Sequence, residues 1–280
     1  MSAEKLLKLI SDEDAEYVDI RFTDPRGKLQ HVTVMSDQVD ADFIEEGFMF
    51  DGSSIAGWKS IEASDMKLMM DTESGYVDPF YAEKTICVHC YVVEPDTGEA
   101  YNRDPRGTAM KAEAYLKSSG IGDTFFVGPE AEFFLFDDVR FSNSMNKVSF
   151  EVDALDASWN TDTEYEIGNT GHRPGVKGGY LPVNPTDDGQ DIRSEMLSTM
   201  KRLGMSVDKH HHEVASCQHE LGLIFSSLTK QGDELQKFKY VIHNVAQAYG
   251  KSATFMPKPI AGDNGTGMHC NMSIWKDGKP

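Results

Sequence analysis

The chain has 280 residues, 39% hydrophobic and 26% charged, with a formal net charge of −19. That length and balance fit a globular protein of one large domain or two unequal ones. The acidity argues against nucleic acid or an anionic membrane as the principal partner, and no apolar run reaches the ~18 residues a bilayer span requires.

The first eighteen residues, MSAEKLLKLISDEDAEYV, are amphipathic and acidic, unlike a signal peptide. Leu6, Leu7 and Ile10 predict a short opening helix. VDIRFTD and LQHVTV, joined by Pro25-Arg26-Gly27, read as a β-hairpin. DMKLMMD and TICVHCYVVEP add strands, so residues 1–100 are expected to form a small mixed β domain. Cys87-Val88-His89-Cys90 has CxxC spacing, but no second pair follows and the run around it is strand-like. The four cysteines, Cys87, Cys90, Cys217 and Cys270, are scattered, which fits a reducing cytosol better than a disulfide framework and predicts a cytoplasmic protein.

The pattern changes near residue 100. Asp104-Pro105 supplies an N-cap and a proline at the first helical position. The helix it opens runs through Ala109, Ala112, Tyr115 and Leu116 to Gly120. From here strands and helices alternate across residues 101–280. TFFVGPEAEFFLF reads as one strand, DIRSEMLSTMKRLG as a helix ended by Gly204, and SVDKHHHEVAS as a strand. Asp233 to Tyr249 reads as a helix with Leu235, Phe238, Val241, Ile242 and Val245 on one stripe. Residues 142–190, rich in Asn, Asp, Gly, Ser and Pro, read as long functional loops.

Three constellations carry chemistry. In the first, Glu130 and Glu132 sit within an apolar strand, and strand periodicity places them on one face about 7 Å apart. Two buried carboxylates that close raise each other's pKa or demand a cation, whereas an edge strand would leave them a solvated acidic face. In the second, His210-His211-His212-Glu213 is followed by Glu220, with a turn at residues 216–218 that would return the chain and bring the two glutamates together. His211 faces the same way as Glu213, while His210 and His212 face away and at least one of these is expected to be a hydrogen-bonded core histidine. Three histidines invite zinc, but carboxylate-dominated ligation favours Mg²⁺ or Mn²⁺. The third is Lys258 to Ser273, KPIAGDNGTGMHCNMS. Its glycines suit a loop that approaches a ligand closely, and His269, Asn271 and Ser273 then alternate onto one strand face. A surface turn before an edge strand is the plain alternative.

Together these segments resemble the bacterial type I glutamine synthetase family along essentially the whole chain. MFDGSSIAGW (Met49 to Trp58) resembles the family's N-terminal signature, GPEAEFFLFD its first metal strand, HHHEVASCQHE its second metal segment and KPIAGDNGTGMHCNMS its ATP-region signature. The resemblance implies an α+β protein: a small N-terminal β-grasp domain (1–100) followed by the N-terminal portion of an α/β catalytic domain (101–280). It implies ATP-dependent condensation of L-glutamate with ammonium, assisted by two or more Mg²⁺ or Mn²⁺ ions per site. It also implies a homo-oligomer, a dodecamer of two hexameric rings, with active sites between subunits.

Carried over by motif, Glu132, Glu213 and Glu220 would hold one metal, and Glu130 and His269 the metal on the ATP phosphates. Asn264 and Gly265 would contact glutamate, and Asp208, Asn271, Met272 and Ser273 would line ATP. Asp51, assisted by Ser54, would bind ammonium and accept its proton, and Lys177 is a further candidate for nucleotide or substrate contact. The family's remaining metal ligand, phosphate-binding arginines and flap correspond to positions past Pro280, so the sequence reads as part of a longer enzyme, inactive alone. A γ-glutamyl-amine ligase and a non-catalytic metal-bound relative remain the rival readings.

Overall fold

A computed structural model describes residues 3–168 and 171–280. Asn169 and Thr170, within the stretch read as loops, lie outside the described residues. The chain forms two compact units. One comprises Met1–Phe126, Ser227–Asp233 and Ser273–Pro280, and the other Val127–Ser226 and Glu234–Met272.

The first unit opens with helix α1 (Glu4–Asp12), which buries Leu6 and Ile10 as the spacing predicts. Strands β1 (Tyr17–Thr23) and β2 (Leu29–Met35) form the expected antiparallel hairpin, from Tyr17 opposite Met35 to Thr23 opposite Leu29. Helix α2 (Ala41–Glu46) and strands β3 (Phe48–Asp51), β4 (Asp65–Met70), β5 (Tyr76–Val77) and β6 (Thr85–Val93) complete it. The sheet order is β2-β1-β6-β4-β3, with β5 also paired to β6. β1 and β6 run parallel. β6 is buried along nearly its whole length, as its continuous apolar run requires.

Cys87 and Cys90 are free and buried within β6. Burial pushes both thiols up, and, three residues apart on one strand, they point to opposite faces of the sheet and cannot share a zinc ion. The buried Arg21 guanidinium is neutralised by Asp19 at 2.6 Å and Asp78 at 2.8 Å.

Helix α3 (Pro105–Ser119) is capped by the Asp104 carboxylate, which accepts from the Arg106 and Gly107 amides, and ends at Gly120 in the left-handed region. Of its expected stripe, Leu116 is buried, whereas Ala112 and Tyr115 face solvent. Arg106 supplies the rest of the packed face through its ion pairs with Asp71 and Asp233.

The next strand departs from expectation. TFFVGPEAEFFLF is broken at Ala131 into β7 (Thr124–Glu130) and β8 (Glu132–Phe136), which belong to different sheets. A hairpin of β9 (Asp138–Ser144) and β10 (Lys147–Asp153) then occupies part of the stretch read as loops. Its polar, exposed strands, with Phe141 paired to Phe150 at the surface, lack the one-sided apolar alternation that marks a strand in sequence.

Helix α4 (Gln190–Arg202) packs on β11 (Val207–His212), which pairs with β12 (Gln218–Leu223). A short β13 (Ser226–Ser227) precedes α5 (Leu228–Ala248), which buries Phe238, Val241, Ile242 and Val245. α5 begins five residues ahead of the expected start, because Gly232 inside it reads as a breaker. β14 (Ser252–Thr254) and β15 (His269–Trp275) complete the chain, in sheets of order β11-β12-β8-β14 and β13-β7-β15. Among the described residues, no helix is long and apolar enough to cross a membrane.

Candidate active site

Strand register assembles the first cluster. β8 and β12 are antiparallel with Glu132 opposite Glu220, and β12 and β11 place Glu220 opposite His211. Directly paired residues share a sheet face with Cβ atoms about 5 Å apart, so Glu132, Glu220 and His211 form a row across three strands. Alternation puts Phe133, His219 and His212 on the opposite, buried face. Glu213 lies two residues after His211, and its amide donates to the Gln218 carbonyl to close the turn between β11 and β12. One ligand atom each from His211, Glu213 and Glu220 falls within 4.8 Å of the others. His211 Nδ1 is 3.4 Å from Glu213 and Nε2 is 3.8 Å from Glu220.

This donor set fits a divalent cation. Burial and the Glu213 and Glu220 charges push the Glu132 carboxyl up to about 7, although the Gly267 amide donates to it. Burial also raises Glu220, with Glu213 adding to the rise and His211 opposing it. Glu132 and Glu220, gathered on one half-buried face beside Glu213, are destabilised as anions unless a positive ion joins them. An ion there would be held by oxygen ligands and one imidazole, the donor chemistry of Mg²⁺ or Mn²⁺.

The neighbouring histidines do other work. His212 is buried between the Asp156 carboxylate (2.8 Å) and the Glu213 carbonyl (2.7 Å); burial lowers its pKa, but Asp156, the Glu213 carbonyl and Asp187 together raise it. It is the expected core histidine, and it braces Glu213 from behind. His210 accepts from Arg193 Nε (3.1 Å) and pairs with the Ser194 hydroxyl.

The second cluster lies where β7 and β15 share a sheet. Glu130 Oε1 accepts from the Asn271 amide at 2.9 Å, and Oε2 lies 3.1 Å from His269 Nδ1. These bonds, Asn271 first and then His269, hold the Glu130 carboxyl below its usual range. Met272 is exposed between Asn271 and Ser273, and the Ser273 hydroxyl accepts from the Trp275 indole. Gly265 packs so closely against the Pro257 carbonyl that a side chain there would collide with it, and Asn264 follows the buried Asp263. Lys177, at φ 58°, adopts a left-handed backbone. Asp208 is exposed on β11, where a side chain at Gly222 would strike its carboxylate. No described hydrogen bond joins Asp208 to Asn271, Met272 or Ser273.

Asp51 and Ser54 belong to the first unit. Asp51 accepts from the Ser53 hydroxyl (2.6 Å), the Ser53 amide (2.8 Å) and the Ser54 hydroxyl (3.2 Å), and these bonds lower its pKa.

Sequence reasoning missed three participants. Gln218 is buried and donates to Glu132 at 2.5 Å while accepting from the Ala215 amide. The Lys209 charge lowers both Glu130 and Glu220. The Asp263 carboxylate accepts from the Lys177, Asn264 and Ser216 amides. Gln218 lies inside the second metal segment and Lys209 immediately before it, and a search beyond the acidic residues and histidines there would have found them.

Fold and site together define an α+β protein whose sheets gather carboxylates and imidazoles into two clusters of the donor chemistry that suits divalent cations. Residues 14–95 match the family described as the glutamine synthetase beta-Grasp domain, and residues 102–280 the glutamine synthetase catalytic domain. The chain is 72% identical to glutamine synthetase of Cereibacter sphaeroides over 271 residues, covering 97% of this chain and 58% of that protein. It is also 72% identical to glutamine synthetase of Rhodobacter capsulatus over 281 residues, covering all of this chain and 64% of that one. A cryo-EM structure of Plasmodium falciparum glutamine synthetase superposes with a TM-score of 0.93 at 28% identity, over 99% of this chain and 55% of that one. The chain belongs to the glutamine synthetase family, with a β-grasp N-terminal domain and a catalytic domain. It spans about three-fifths of the length of these curated relatives.

Proposed function

We propose that this chain builds the metal-binding part of an ATP-dependent ligase that joins ammonia to L-glutamate. The row Glu132–Glu220–His211 with Glu213, set apart from Glu130–His269–Asn271, carries this reading. It supplies two acidic centres of different character, as phosphoryl transfer between two anions requires. Glu132, Glu213 and Glu220, with His211 beside them, would hold the cation nearer glutamate, and Glu130 and His269 the cation nearer ATP. When bound, Mg²⁺ or Mn²⁺ neutralises negative charge on the carboxylate and phosphates.

The chain's own residues divide the remaining tasks. Asn264 and Gly265 would position glutamate, and Asp208 and Asn271 to Ser273 would lie along the nucleotide. The lowered pKa of Asp51 makes it a standing anion that attracts ammonium but a weak base. Ammonium has no lone pair, so it would give up a proton to Asp51 before its nitrogen attacks the activated γ-carboxyl carbon and displaces phosphate. Ser53 and Ser54 hold that carboxylate in one orientation.

The chain would divide at about residue 100 into a β-grasp domain (1–100) and a catalytic portion (101–280). It would assemble as a dodecamer of two hexameric rings with sites completed between subunits. Four free cysteines suit a cytoplasmic protein.

The test is glutamine and ADP formation by the intact protein given L-glutamate, ATP and Mg²⁺ or Mn²⁺, with ammonium compared against bulkier amines. Ammonium-dependent glutamine is the expected product. Preference for a bulkier amine, or no metal-dependent turnover, would overturn the reading. Analytical ultracentrifugation checks the assembly.

A further inference from the structure

The geometry points to Asp263 as a positioning residue that fixes the glutamate-contacting Asn264 by tying the glycine-rich loop to two other segments of the site. This rests on the functional reading above. Asp263 is 2% exposed. Its Oδ1 accepts from the Lys177 amide (2.9 Å) and the Asn264 amide (2.9 Å), and its Oδ2 from the Ser216 amide (3.1 Å). One carboxylate thus joins the glycine-rich loop, the segment around Lys177 and the turn that follows Glu213.

Two of these attachments sit at unfavourable backbone. Lys177 has φ 58°, and Cys217, just after Ser216, has φ 65°. Non-glycine residues stay in the left-handed region only when their surroundings over-determine them, and charge-assisted bonds from a buried carboxylate do so. The Lys177 segment in turn presses on the first cluster. The Gly179 amide donates to the Val214 carbonyl at 3.0 Å, and a side chain at Gly179 would meet the Glu213 carbonyl at 2.6 Å.

The three attachments do not depend on Asp263 equally. The turn after Glu213 has further ties: the Glu213 amide to the Gln218 carbonyl, the Ala215 amide to the Gln218 side chain and the Cys217 amide to Asp156. The loop carrying Asn264 has further ties at Thr266, whose amide donates to the Pro257 carbonyl at 2.7 Å, and at Gly267, whose amide donates to Glu132, and both lie past Asn264 itself. Loss of Asp263 should therefore displace Asn264 and Lys177 while Glu213 stays in place.

The experiment compares the intact protein with Asp263→Asn and Asp263→Ala. For Asp263→Ala, KM for L-glutamate should rise about tenfold, equivalent to about 1.4 kcal/mol. KM for ATP and Mn²⁺ affinity should change less than about twofold, and Asp263→Asn should fall between wild type and Asp263→Ala. Amide exchange should accelerate over residues 175–181 and 262–266 and stay slow over 213–218. An unchanged glutamate KM would overturn the proposal. So would an equal loss in every kinetic parameter accompanied only by a lower Tm.

If the wild-type protein forms no glutamine, the functional reading fails, and the exchange pattern still decides the role of Asp263. If neither variant folds, exchange in the unmodified protein decides it. Slow exchange at the Lys177 and Asn264 amides supports the proposal, and fast exchange at both overturns it.

Discussion

Glu130 and Glu132 are separated by one alanine. Glu130 ends β7 in the open, with both carboxylate oxygens engaged by Asn271 and His269. Glu132 begins β8 half-buried, facing Glu213 and Glu220. The first carboxyl is held low by hydrogen bonds and the second pushed up to about 7 by burial and like charge. Sequence spacing predicts one shared face, but the change of sheet at Ala131 gives each carboxylate its own partners. One centre is already stabilised as an anion by the protein. The other stores electrostatic cost that a cation relieves, and so should bind a cation more tightly and be more sensitive to pH.

The comparison is most directly broken at Glu220, the middle of the row. Glu220→Ala should lower Mn²⁺ affinity at the tighter site at least about 100-fold, the upper end of what even supporting residues of metal sites contribute. Titration calorimetry measures it. A loss under tenfold would show that the half-buried row is not the tighter site.

The pH dependence of the metal-free protein comes next. Glu132 in the folded state has a pKa of about 7, above its ordinary 4.5, so the folded state binds the proton more strongly. Its contribution to stability is then fully present below pH 4.5 and is lost as pH rises toward about 7. With allowance for solvent screening at a half-buried group, the loss is on the order of 2 kcal/mol. Urea melts of wild type and Glu132→Gln between pH 4.5 and 8 isolate it. The difference between the two should vary with pH without metal and flatten with saturating Mn²⁺. A difference independent of pH would remove the electrostatic half of the comparison.

Much of the site was legible in the sequence because it depends on local period and short turns. The strand-turn-strand from His210 to Glu220 joins Glu213 and Glu220 through alternation and one tight turn, and His212 falls on the core face for the same reason. The break at Ala131 was not legible. No glycine or proline in TFFVGPEAEFFLF marks a break at Ala131, and the choice of sheet is made by distant partners, β15 for one half and β12 for the other. The β9–β10 hairpin was hidden because its strands are exposed and carry no one-sided pattern. Asp263 was hidden because its three partners are backbone amides, which leave no mark in side-chain identity.

At the exposed centre, Glu130→Ala should weaken cation or metal–nucleotide binding by about tenfold, less than Glu220→Ala. Equal losses in the two variants would erase the distinction between the centres.

The smallest effect separates two accounts of why Glu130 is held low. The Asn271 amide occupies Glu130 Oε1, an oxygen that a cation would also seek. If the bond orients the carboxylate toward the ion, Asn271→Ala should weaken Mn²⁺–ATP binding. If it competes with the ion, the same change should strengthen binding. An exposed hydrogen bond to a charged group is worth little net, and His269 at 3.1 Å continues to orient the other oxygen. Orientation should prevail, because a carboxylate oxygen has lone pairs for both the amide and the cation. The expected outcome is about a threefold loss of affinity, less than the net worth of a typical hydrogen bond to a charged group. Any gain in affinity would show that Asn271 opposes the cation at this centre.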